Sequence, residues 1–218
     1  MYYIRYVLYL YVFIGYSLCY SGSFDDFFSA LRQDDPATIE MLLSRGFDPN
    51  TISPAGEHGL IVALREPSLK AVSALLGAPK VNVEVRTPHD ESPLMLAALK
   101  GLTDLCRQLI VLGADVNKPG WTPLHYAATS GHLATMDLLL DEHAYIDAPS
   151  PNGTTPLMMA AHYGTAPAVK LLLDAGADPT LKNEQGLSAI DFAQRVSRTE
   201  AVDLISAAIR GRHPKGSW

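Results

Sequence analysis

The sequence predicts an all-α solenoid of about six helix-turn-helix units. Three observations predict it. A motif recurs roughly every 33 residues, most clearly where Thr122-Pro123-Leu124-His125-Tyr126-Ala127-Ala128 is followed by Thr155-Pro156-Leu157-Met158-Met159-Ala160-Ala161. A period of that length belongs to stacked repeats and not to a globule built around one pocket. Offsets inside a unit stay constant while the connections between units vary. Glycines and turn residues also fall at the same places in successive units.

With Pro123 as anchor, the equivalent positions are Asp26, Gly59, Pro93, Pro156 and Ala189, spaced 33, 34, 30, 33 and 33 residues apart along the chain. An alanine lies four residues after every anchor, from Ala30 to Ala193. An apolar cluster such as Leu138-Leu139-Leu140 or Leu171-Leu172-Leu173 lies fifteen to seventeen residues after it. The 30-residue spacing preserves these offsets, so its three missing residues fall in the connection Lys118-Pro119-Gly120-Trp121.

Each unit reads as two short helices. Thr-Pro before an apolar run places a capping hydroxyl ahead of a proline whose missing N–H is harmless in the first turn. Asp35-Pro36 has the same form. Gly101, Gly131 and Gly164 separate the two helices. The second helix carries the leucine cluster and ends at Gly46, Gly113 or Gly176, where a left-handed residue terminates a helix. His143 stands in that slot in the fourth unit, which predicts a left-handed histidine. Asp48-Pro49-Asn50, Asp115-Val116-Asn117 and Asp178-Pro179-Thr180 then supply turn chemistry. The second unit departs from the pattern, with Pro67 and Pro79 at its breaks.

The run Gly153-Thr154-Thr155-Pro156-Leu157, with Ala160-Ala161-His162-Tyr163-Gly164 and Leu171-Leu172-Leu173-Asp174-Ala175-Gly176-Ala177-Asp178, closely resembles the ankyrin repeat. The resemblance covers roughly residues 24–210, as units near 24–56, 57–90, 91–120, 121–153, 154–186 and 187–210, followed by a tail at 211–218. It implies an L-shaped stack of helix pairs with projecting, β-hairpin-like fingers. It implies a structural role for His125, linking neighbouring turns. It also implies a protein-binding surface on the finger tips and on the concave ends of the first helices.

Carried over position by position, the finger residues are Trp121, Pro151, Asn152, Thr154, Glu184, Gln185 and Leu187. The concave helix residues are Leu99, Lys100, Thr129, Ser130, His162, Tyr163, Gln194 and Arg195. Trp121, Thr129, Ser130, Asn152, Thr154, His162, Tyr163, Glu184, Gln185 and Leu187 form the expected binding set. Trp121 has two readings: a solvent-facing hot spot beside His162 and Tyr163, or a plug folded into a gap between units. Tyr126 shares its slot with Val62, Leu96, Met159 and Phe192, all apolar, and reads as core.

Composition narrows the function. The chain has 218 residues and a net charge of −6, with no basic stripe, which argues against a nucleic-acid partner. Its two cysteines, Cys19 and Cys106, are too few for a disulfide framework. Cys106 lies among Leu105, Leu109 and Ile110 and reads as a small buried hydrophobe. Residues 1–20 hold seven of the ten tyrosines and a single charge, Arg5. The apolar run from Tyr6 to Leu18, followed by Cys19-Tyr20-Ser21-Gly22-Ser23, has the layout of a secretory signal with cleavage after Ser21. An uncleaved membrane anchor through residues 6–18 is the alternative.

No histidine pair has metal-ligand spacing, so no metal and no cofactor are expected. No pattern places two carboxylates across a cleft, and no nucleophile elbow or phosphate loop appears. The sequence therefore predicts a non-catalytic, monomeric, exported binding module of bacterial type, acting on an exported or periplasmic protein. Its alternatives are an accessory or inhibitor subunit of a co-exported enzyme, and a membrane-tethered assembly factor. No small-molecule substrate is inferred.

Overall fold

Twelve helices account for the regular structure in a computed structural model that describes residues 22–66 and 68–212. The expected signal segment 1–21, Pro67, and the chain from His213 lie outside the described residues. No strand is present among the described residues; one isolated antiparallel bridge joins Ile52 and His58.

The helices come in consecutive pairs. They are α1 (residues 22–33), α2 (Pro36–Ser44), α3 (Gly59–Arg65), α4 (Leu69–Leu76), α5 (Pro93–Leu99), α6 (Thr103–Val111), α7 (Pro123–Ser130), α8 (Leu133–Asp141), α9 (Pro156–His162), α10 (Ala166–Asp174), α11 (Ala189–Arg195) and α12 (Thr199–Arg212). Most have seven to nine residues, too short to persist alone in water, so packing holds them. α12 continues to Arg212, beyond the end expected at residue 210.

The chain forms two compact units that divide between Thr87 and Pro88. In the first, α2 packs on α4 and α3 on α4. Phe27, Leu31, Ile39, Ile61, Leu64 and Leu75 are fully buried there. The Phe27 ring packs against Phe47 at 4.7 Å and against the edge of Phe28 at 5.3 Å. It also explains Gly59, where a Cβ would stand 2.8 Å from the Phe27 ring. Asp35 caps α2 by accepting from the Ala37 and Thr38 N–H groups and the Thr38 hydroxyl. Those bonds favour its ionised form and hold its carboxyl below the ordinary value.

In the second unit, the first helices α5, α7, α9 and α11 pack side by side, and each also packs on its own second helix. Leu94, Leu124 and Leu157 are fully buried, as are the paired alanines Ala97-Ala98, Ala127-Ala128 and Ala160-Ala161. Small side chains at those two slots let neighbouring helices approach closely. Gly164 shows how closely: an added Cβ would strike the Ala128 carbonyl oxygen and lie 2.9 Å from Ala160 Cα. Second helices end as expected at left-handed residues, Gly113 at φ +95° and His143 at φ +65°.

The fingers are tight turns and not strand pairs. Ser150 donates to the Thr154 carbonyl at 2.9 Å and Asn183 to the Leu187 carbonyl at 3.0 Å. In the first unit Ser53 donates to Glu57 in the same way at 2.7 Å. Each turn is closed by a glycine at positive φ, namely Gly56, Gly153 and Gly186. The shortened finger keeps only the glycine, Gly120 at φ +83°, with Pro151 of the next finger against it.

Candidate functional site

Burial identifies the open face of the second unit. Along α7 and α9, three positions spaced i, i+3 and i+4 stay accessible while the rest are covered, and that spacing defines a single helical face. In α7 the three are Tyr126, Thr129 and Ser130; in α9 they are Met159, His162 and Tyr163. In α11 the same slots are Phe192, Arg195 and Val196, but Ile190, Asp191 and Gln194 are accessible as well, and only Ala189 and Ala193 are buried. Exposure rises along each helix: Tyr126, Met159 and Phe192 are half-buried, while Tyr163 is 57% and Val196 39% exposed. In α5 the same slots are Leu96, buried, then Leu99 and Lys100.

The first of these slots corrects the sequence reading. Tyr126 is not core: its ring is half-buried and its hydroxyl donates to Glu91 at 3.2 Å. Burial and the adjacent Glu91 carboxylate push its phenol well above the usual value. Apolar constancy was the misleading signal. The helical spacing to Thr129 and Ser130, already chosen, would have placed Tyr126 on the same face.

The expected binding residues do not form one cluster. Thr129, Ser130, His162 and Tyr163 lie on the open face. Asn152, Glu184 and Gln185 are exposed at finger tips, and Leu187 is half-buried at a finger base. Glu184 donates its N–H to the Asn152 carbonyl at 3.0 Å, which links the last two fingers. Thr154, expected on the finger surface, is 2% exposed. Its N–H donates to the Ser150 hydroxyl, and its carbonyl accepts from His125.

Trp121 is neither fully solvent-facing nor fully covered. It is half-buried, and its ring meets His125 edge-on at 5.2 Å. It also stands apart from His162 and Tyr163. The His125–Thr154 bond joins the beginnings of α7 and α9, and Gly131 faces Thr165 at their ends. The two helices therefore run parallel. Trp121 lies at the finger end and Tyr163 at the other, separated by about one helix length, roughly 10 Å.

The histidines act as links between units. The Thr122 N–H donates to His125 Nδ1 at 3.1 Å, so the proton sits on Nε2, which donates to the Thr154 carbonyl at 2.9 Å. Burial pulls its imidazole down to about 4. In sister units the same slot holds Met95 and Met158, whose sulfurs accept the equivalent N–H groups of Ser92 and Thr155. Asp191 does this for Ser188 with a carboxylate. His132 donates to the Leu99 carbonyl, and His162 to the Phe192 carbonyl while meeting the Tyr163 ring at 4.2 Å. Arg198, which sequence reasoning did not single out, donates to the Tyr163 and Gly164 carbonyls and so caps the end of α9.

The repeat period, the parallel first helices and the Thr-Pro-Leu-His link agree with the comparisons. A family model for ankyrin repeats (three copies) matches residues 27–119, 60–150, 94–183 and 144–212. The chain belongs to the ankyrin-repeat family. The human ASB11 ankyrin repeat domain resembles this ankyrin-repeat chain with a TM-score of 0.74 at 26% identity, over 87% of this chain and 85% of that one. An ankyrin repeat domain from Acinetobacter baumannii AYE gives 0.72 at 27% identity, over 84% and 96%. Glycerophosphocholine phosphodiesterase gde1 of Schizosaccharomyces pombe is 32% identical over 117 residues, 51% of this chain. The match spans 10% of that protein's length.

Ankyrin repeats are a general protein-interaction module. Among the described residues, no group of three or more His, Cys, Asp and Glu side chains is arranged to hold a metal ion. Among them too, no helix is long and apolar enough to cross a membrane. Cys106 is fully buried, and burial raises its thiol to about 12.

Proposed function

We propose that this chain is a non-catalytic ankyrin-repeat binder whose second unit recognises a folded protein through the open face of α5, α7, α9 and α11. The carrying observation is the stripe of half-buried Tyr126, Met159 and Phe192, continued by His162 and exposed Tyr163. Large side chains already held by neighbours lose little freedom on binding, which favours them as hot spots. The hydrogen bonds of Tyr126 and His162 supply that preorganisation. Asn152, Glu184 and Gln185 would then contact the partner's margin from the finger tips.

Residues 1–21 support export on their composition, and the partner would accordingly be an exported or periplasmic protein met by a monomeric chain. An accessory or inhibitor role toward a co-exported enzyme follows from the same face. A membrane-tethered assembly role follows if residues 6–18 stay attached. Site-specific photo-crosslinking tests the face. A benzoylphenylalanine at Met159 should trap one identified protein that the same probe at Asp137, on α8, does not. Equal trapping from both positions would refute the assignment.

A further inference from the structure

We propose that the partner presents to this face an amphipathic α-helix of about 20 residues, basic on the flank toward the fingers and acidic on the flank toward the helix junctions. The inference rests on the open-face reading above. Slot spacing selects the conformation. Tyr126, Met159 and Phe192 recur once per first helix, and packed helices lie about 8–10 Å apart. A partner α-helix advances about 10.5 Å in seven residues and returns to the same face. An extended strand covers about 10 Å in three residues, but its third residue points to the opposite side. Apolar residues at i, i+7 and i+14 of one helix can therefore meet successive slots, whereas a strand presents alternate faces to them.

Charge selects the flanks. On the finger side, Asp90 and Lys118 form an ion pair, and Glu91 and the exposed Glu184 outnumber Lys182. On the junction side, segments 99–103, 129–133, 162–166 and 195–199 carry Lys100, Arg195 and Arg198 and no carboxylate. A positive edge in a chain of net charge −6 is a local asymmetry, and rims of opposite sign steer a partner and fix its orientation.

The test uses three fluorescein-labelled helical peptides of about 22 residues, each with leucine at i, i+7 and i+14. One carries lysine on one flank and glutamate on the other, one lysine on both, and one glutamate on both. Anisotropy with the full chain should show the mixed peptide binding at least about tenfold tighter than either uniform one. Glu184→Lys should shift preference toward the all-glutamate peptide. Equal affinity for the three, or no binding by the mixed peptide, overturns the inference. Capture of the crosslinked partner by Met159→Lys and by Tyr163→Glu, each confirmed folded by circular dichroism, separates the two readings. Lost capture without mixed-peptide preference leaves the open face standing and removes the helix; retained capture removes both.

Discussion

His125 is the residue on which two neighbouring repeats turn. It receives the N–H of its own helix cap and donates to the finger of the next unit, the linking role that the family resemblance implies. Its folded imidazole titrates near 4, against about 6.5 when unfolded. The unfolded chain therefore takes up a proton first as pH falls. Stability from this group is complete above about pH 6.5 and is lost as pH drops toward 4, by about 3 kcal/mol in all. Urea unfolding across that range should show the loss, and His125→Met should flatten it. His125→Ala should cost about 2–3 kcal/mol at neutral pH. His125→Met should cost less, because Met95 and Met158 accept the same N–H in sister units. A pH dependence unchanged in His125→Met would contradict this account. The need for glycine at Gly164 was legible, but its cause was not, since only coordinates reveal the Ala128 carbonyl and Ala160 against it. Gly164→Ala should destabilise by about 2–3 kcal/mol in thermal melts.

At the scale of elements, repeat boundaries, helix pairs and caps were readable because each follows from local chemistry repeated at a fixed period. What joins the elements was not. Asn117 read only as a turn residue. Its amide donates to the His143 carbonyl at 2.8 Å and accepts from the Tyr145 N–H at 2.7 Å. Asn50 repeats the arrangement in the first unit, with the Lys80 carbonyl and the Asn82 N–H. Asparagine offers a donor and an acceptor on one planar group, so a single side chain pins the following loop from both sides. Asn117→Ala should cost about 1 kcal/mol and speed amide exchange at Tyr145, while Asn117→Asp, which retains only the acceptor, should recover part of the protection. The hairpin-like closing bonds of the fingers are present, but five-residue turns are too short to build a ladder.

At the scale of the molecule, tight packing makes Cys106 inert. The thiol is fully buried and raised to about 12, so little thiolate forms at neutral pH. A thiol reagent should label Cys106 in the folded chain only at the rate at which the unit opens, and rapidly in denaturant. The open face was half legible. Slots that vary between repeats, such as Ser130 and Tyr163, were found by comparing units, whereas Tyr126, Met159 and Phe192 were hidden by their shared apolarity. A position can be apolar in every repeat because it lies beneath a partner, and the sequence does not distinguish that from core. The central claim is that this stripe is the binding surface. The most direct measurement is the dissociation constant for the crosslinked partner, by titration calorimetry, of Met159→Lys against Val111→Lys, which alters an exposed position on α6. The account predicts about 30-fold weaker binding or more for Met159→Lys and an unchanged constant for Val111→Lys; an unchanged constant for Met159→Lys, or a larger loss for Val111→Lys, would contradict it.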